Sequence, residues 1–261
     1  MYRLPSFVRP AAIAACFAML CYPVNAQSVV VPGANTTTEG NTGGNSFPFS
    51  IAFYPASSMR YQQVYGSGGF TGLGPITINA IAFRPGSSGT AFGPTTMNVQ
   101  IDLSTTTAAV DGLNTTFATN QGADNMTVYN GNLTLSSANA GPRPKFFDIV
   151  INLQNPFTYN PLAGNLLLDV RQFNRVSTTY FDAPTNPTDE ISRLYQFNVN
   201  DPTGIQDTDG LVTQFRYKTS TSGIPEPGSF LLLGLALPVY GLVKERKRDI
   251  KGVFAHRTRK V

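Results

Sequence analysis

Apolar residues recur at every second position in several stretches of this chain, and that spacing constrains its fold more than any other feature. Phe47, Phe49, Ile51 and Phe53 alternate with Pro48, Ser50 and Ala52, and Met97/Val99/Ile101/Leu103, Phe147/Ile149/Ile151/Leu153 and Leu166/Leu168/Val170 follow the same rule. Successive side chains of a strand point to opposite faces, so this period predicts strands with one buried face. Further strands are predicted over 61–65, 76–84, 193–199 and 211–218. Within 127–135 the pair Asn130-Gly131 predicts a type I′ hairpin turn, because both residues tolerate the positive φ that it needs.

Composition removes the competing architecture. Charged residues make up only 13% of the chain, against roughly 25% in soluble domains, and 24 Gly and 19 Pro interrupt it. Long salt-bridged helices are therefore not expected, whereas 18 Phe and 11 Tyr suffice for a core. About nine short strands between Gly/Pro/Asn/Asp turns predict an all-β, antiparallel, jelly-roll-like sandwich over 46–219. Residues 27–45, rich in Gly, Thr and Asn, read as a flexible N-terminal segment or a leading strand.

The charge sits at the ends. The chain as a whole carries +4, but residues 27–243 hold nine Lys+Arg against thirteen Asp+Glu, a net −4. A nucleic-acid partner would need a basic patch on the folded part, so none is expected. Arg3 and Arg9 precede an apolar run from Ala11 to Leu20, and Val24-Asn25-Ala26 closes the segment with compact residues. This three-part order predicts a signal peptide over 1–26, cut by signal peptidase between Ala26 and Gln27. Both cysteines, Cys16 and Cys21, fall inside it, so the exported chain would have no disulfide and no thiol chemistry.

At the other end, a linker over 220–229 carries Pro225-Glu226-Pro227, followed by an apolar stretch over 230–243 and the basic cluster Lys244, Arg246, Lys247 and Arg248. The order predicts a transmembrane helix that stalls with a basic cytoplasmic tail, 244–261, inside and the bulk of the chain outside. At ~1.5 Å per residue the stretch is about 21 Å long as a helix, short against a ~30 Å bilayer core, which suits a transient anchor. The triplet, helix and basic cluster resemble the PEP-CTERM sorting signal of Gram-negative and related bacteria. That resemblance implies processing near the triplet by exosortase, a membrane-embedded transpeptidase-like enzyme, and an association with exopolysaccharide-producing cells. Arg60-Tyr61-Gln62-Gln63-Val64-Tyr65, 78–84 and 164–170 are also similar in texture to other PEP-CTERM ectodomains, which implies no known activity.

Chemistry in the body is sparse. The only histidine, His256, lies in the basic tail, so histidine-based catalysis and metal binding have no partner in the ectodomain. Asp148, Asp169, Asp182, Asp189 and Glu190 could supply a glycosidase carboxylate pair, or serve as turn acids and strand ends. Asp201, Asp207 and Asp209 crowd a glycine-containing loop, which would suit calcium or turn capping; no other cofactor is expected. Tyr61, Gln62, Gln63 and Tyr65 are the candidate carbohydrate contacts, rings for stacking beside amides for hydrogen bonds. The resulting expectation is a non-enzymatic exported protein, first anchored in the inner membrane and then at the cell surface or in the matrix. It would be structural, adhesive or exopolysaccharide-associated. A polysaccharide-active enzyme and a permanently anchored surface protein are the alternatives.

Overall fold

The computed structural model describes residues 27–219. The expected signal peptide with Ala26, the Pro225-Glu226-Pro227 motif, the apolar helix over 230–243 and the cluster Lys244, Arg246, Lys247 and Arg248 lie outside the described residues. Among the described residues no helix is long and apolar enough to cross a membrane.

Ten strands make up the body: β1 (Gln27–Val31), β2 (Met59–Tyr65), β3 (Ile76–Phe83), β4 (Phe92–Thr106), β5 (Met126–Ser137), β6 (Ile149–Tyr159), β7 (Asn165–Gln172), β8 (Ile191–Gln196), β9 (Ile205–Asp207) and β10 (Thr213–Thr219). They form two antiparallel sheets, one in the order β1-β10-β3-β6 and one in the order β5-β4-β7-β2-β8-β9. The described body is all-β. The inward rows are those that the period-two spacing marks. Met97, Val99, Ile101 and Leu103 of β4 join Leu166, Leu168 and Val170 of β7 in one cluster with Ile76, Ile78, Ile81 and Phe215 of the other sheet. Each such side chain contributes ~1.5–3 kcal/mol on burial.

Residues 27–45 belong to the folded body. β1 pairs with β10 from Gln27↔Tyr217 to Val31↔Thr213, and the fully buried Arg84 then holds the chain that follows, donating from Nη2 to the carbonyls of Asn35 and Thr38 at 2.6 and 2.9 Å. A second small cluster, Val64, Leu113, Phe117, Leu167 and Leu194, seats the 107–124 segment on the outward side of the six-stranded sheet.

Two sequence expectations are corrected. The Phe47–Phe53 alternation is not a strand: it is a run of turns that drops Phe47, Phe49 and Ile51 into the core and leaves Phe53 67% exposed. Aromatic plugs at the end of a core repeat like a strand without making a ladder. Nor does Asn130-Gly131 make a hairpin, since β5 runs straight through it with Gln100↔Asn130 and Val99↔Gly131 paired to β4. Gly131 keeps a positive φ of 125° within the strand, on the side facing Val99. The preference that signals a turn is used here for an irregular strand whose partner is distant in sequence.

Candidate functional site

β2 lies inside its sheet, between β7 and β8, and both of its faces are covered. That overturns the carbohydrate assignment of Tyr61, Gln62, Gln63 and Tyr65, all of which are fully buried. Gln63 makes an amide pair with Leu211, donating Nε2 to its carbonyl at 2.9 Å and accepting its N–H at 2.8 Å. The Tyr65 hydroxyl meets Thr213 Oγ1 at 2.8 Å, and Tyr61 donates to Gln63. Burial pushes both phenols above their usual 10, so they stay protonated. On the opposite face Gln62 donates to the Phe117 carbonyl and to Asp169, and accepts from Asn120.

The residues expected to suit calcium are engaged by protein groups. Arg193, itself buried, takes Asp207 in a bidentate pair at 2.6 and 2.8 Å and Asp209 at 3.2 Å, while Asp201 accepts from the Asn198 amide. The guanidinium thus takes up both carboxylate oxygens of Asp207 and one of Asp209. Of the candidate carboxylates, Asp182 pairs with Arg84 at 2.8 Å, Asp148 accepts from Ser137 and the Ala138 N–H, and Glu190 accepts the Gly33 N–H. Burial raises Asp182 against the pull of Arg84.

Asp169 alone meets another carboxylate side by side in the ladder, and the sequence reading missed that partner. Asp102 is its Cα partner across β4 and β7. Asp169 accepts from Arg60 Nε and Nη2 at 3.2 and 2.8 Å, from Gln62 at 2.7 Å and from Gln121 at 3.1 Å. Asp102 accepts from Gln100 at 3.0 Å, Thr127 at 2.7 Å and Arg171 at 3.4 Å. Both are at most 2% exposed. Arg60 also lies 4.5 Å over the Phe117 ring, pinning the 107–124 segment across this end of the sheet.

Beyond that network the same outward face opens to solvent as a ladder of matched polar residues. Thr96 and Thr134 meet at 2.8 Å, and Asn98 Nδ2 donates to Asn132 Oδ1 at 3.2 Å. Gln100 stands between Asn130 on β5 and Arg171 on β7. The outward row of β7 continues past Arg171 to Phe173, whose N–H donates to the Asn98 carbonyl at 2.9 Å and whose side chain is 43% exposed. An open recess of about 590 Å³ adjoins it, lined by Phe173, Asn174 and Arg175 with Pro55, Ala56 and Ser57. These outward residues alternate with the core row of β4, the one signal by which they could have been found; in sequence they look like any solvated strand face. An aromatic face beside rigid amides and hydroxyls can stack on a sugar ring and bond its hydroxyls.

Comparison with known protein families, with curated proteins and with solved structures finds no match.

Proposed function

We propose that this chain is an exported surface or matrix protein whose β-body is a jelly-roll sandwich that associates with exopolysaccharide and does not cleave it. The strand order supports the architecture. β1·β10, β2·β7, β3·β6 and β4·β5 are neighbours, and successive pairs fall in alternate sheets. One antiparallel ribbon folded over in this way gives the double Greek key of a jelly roll, with β8 and β9 extending one sheet. The sequence at the two ends supports the route: signal peptidase would cut after Ala26, and an exosortase-type enzyme would release the chain near Pro227 from its inner-membrane anchor.

The observation that carries the binding role is Phe173, an exposed ring in line with Asn98, Gln100, Asn132 and Arg171 on a rigid sheet. Against catalysis, Asp102 and Asp169 are buried and all four of their oxygens accept hydrogen bonds from protein groups, so neither is presented to a glycosidic bond. The test uses protein recovered from the envelope and medium of the producing cells. An intact mass running from Gln27 to near Pro227, with retention on the cells' own polymer and no release of reducing ends, is the expected result. A mass reaching Val261 would make it a tethered protein, and steady release of reducing ends would make it an enzyme.

A further inference from the structure

A second recess lies on the opposite sheet, outside β3 and β10, where residues 144–147 arch over them. It measures about 360 Å³ and is lined by Arg84, Lys145, Phe146, Phe147, Gln214 and Arg216, with Thr36 and Pro144 at its margin. No carboxylate of the described residues lines it. That is unusual for a body that carries a net −4 over 27–243.

The three cations are not equivalent. Arg84 is buried and committed to the fold through Asp182 and the carbonyls of Asn35 and Thr38, with Phe147 stacked on its guanidinium at 4.7 Å. Lys145 donates to the Gly141 carbonyl at 2.9 Å, and Arg216 to Gln214 at 3.2 Å and to the Phe147 carbonyl at 3.2 Å. Neither forms an ion pair among the described residues, and each has N–H donors to spare. Both are partly buried, so a ligand would meet them already partly desolvated, where charge-assisted bonds are strongest. At the rim stands Phe146, 58% exposed. Two free cations would hold a carboxylate, and an open ring beside them would lie against the pyranose that carries it.

We propose that this recess binds a hexuronate unit of an acidic polysaccharide, with Lys145 and Arg216 taking the carboxylate and Phe146 the sugar face. The choice of a polymer as the source of the anion rests on the function proposed above; the anion site itself rests on the recess. With the ladder on the other sheet, one molecule would then hold two polymer segments on opposite sides.

The test is calorimetric titration of the full chain with an oligogalacturonate, a neutral glucan oligomer of equal length and inorganic phosphate. The acidic oligomer is expected to bind and the neutral one not to bind at this recess. Lys145→Ala or Arg216→Gln should weaken the acidic oligomer by about tenfold or more, the worth of a charge-assisted bond. Phe146→Ala should weaken it by a smaller factor, and added salt should weaken it further. Should Arg216→Gln fail to fold, Lys145→Ala, on the arching segment, decides alone. No binding of the acidic oligomer, or binding unchanged in Lys145→Ala, overturns the proposal, as does phosphate competing as well as the oligomer. Retention of the carboxyl-reduced host polymer alone would leave the ladder reading standing while this one falls. Oligogalacturonate binding without retention of any host polymer would do the reverse.

Discussion

Asp102 and Asp169 stand side by side on neighbouring strands, two buried carboxylates in one cross-strand pair, flanked by Arg171 and Arg60. Like charges placed directly opposite destabilise a sheet. Here they persist because each is matched to a guanidinium and to side-chain amides, and the matching in turn fixes the 107–124 segment through Gln62, Gln121 and Phe117. The network orders the buried end of the face whose open end carries Phe173.

Removing one member should therefore be costly. Asp169→Ala leaves the Arg60 guanidinium, with 10% of its side chain exposed, without its carboxylate. A loss of about 3–5 kcal/mol is expected in urea denaturation. The paired change Arg60→Met with Asp169→Leu should recover most of it, because no charge is then left unpaired. A single-variant loss below about 1 kcal/mol would mean that the ion pair does not hold the network together.

Gly122 offers a backbone test of the same covering segment. A Cβ there would lie 1.7 Å from the Thr105 carbonyl oxygen, whereas one on Gly93 would meet nothing within 4 Å. Gly122→Ala should cost about 1–3 kcal/mol or more by overpacking, while Gly93→Ala should be neutral or slightly stabilising. Equal melting temperatures for the two variants would show that the segment lifts off the sheet readily.

Much of the framework was legible because one buried face imposes period two, as at Met97–Leu103 and Leu166–Val170. What escaped the sequence was contact across long separations. Tyr61, Gln62 and Gln63 look amphipathic and exposed, but a segment some fifty residues later covers one side of β2 and Leu211 closes the other. The alternation around Asp102 and Phe173 marks an outward face but not a site; only the pairing of β4 with β7 sets the two in one face. The Asp207/Asp209 loop was read for a cation without its counter-ion, since Arg193 sits on an adjacent strand.

The corrected role of β2 separates stability from binding. Gln63→Ala strips the Leu211 N–H of its buried acceptor and leaves the Leu211 carbonyl only the Thr213 hydroxyl, at an expected cost of about 1–3 kcal/mol. Retention on host polymer, measured well below the melting temperature, should not change. Phe173→Ala should do the opposite, abolishing most retention with little change in melting temperature. If Gln63→Ala lost retention while folded, β2 would belong to the binding site after all.

Asp189 should make stability depend on pH. Its Oδ1 accepts the Ile191 N–H at 2.9 Å, its Oδ2 is buried without a partner among the described residues, and the nearby charges are the carboxylates of Asp111 and Glu190. Burial first, then those carboxylates, push it from 3.8 up to about 6, against the hydrogen bonds that favour its ionised form. Between these values the folded chain binds more protons than the unfolded one, so stability falls as pH rises from about 4 to 6 and stays lower above it. Asp182, also raised by burial, adds a change of the same sign, which is why the comparison is between variants. Asp189→Asn keeps the Oδ1 acceptor and removes the charge. It should match the parent below about pH 4 and exceed it by about 1 kcal/mol above pH 6, a figure discounted because the side chain is only half-buried. Thermal melts of the two chains across that range check it, and parallel curves at every pH would show that Asp189 is not the group that titrates.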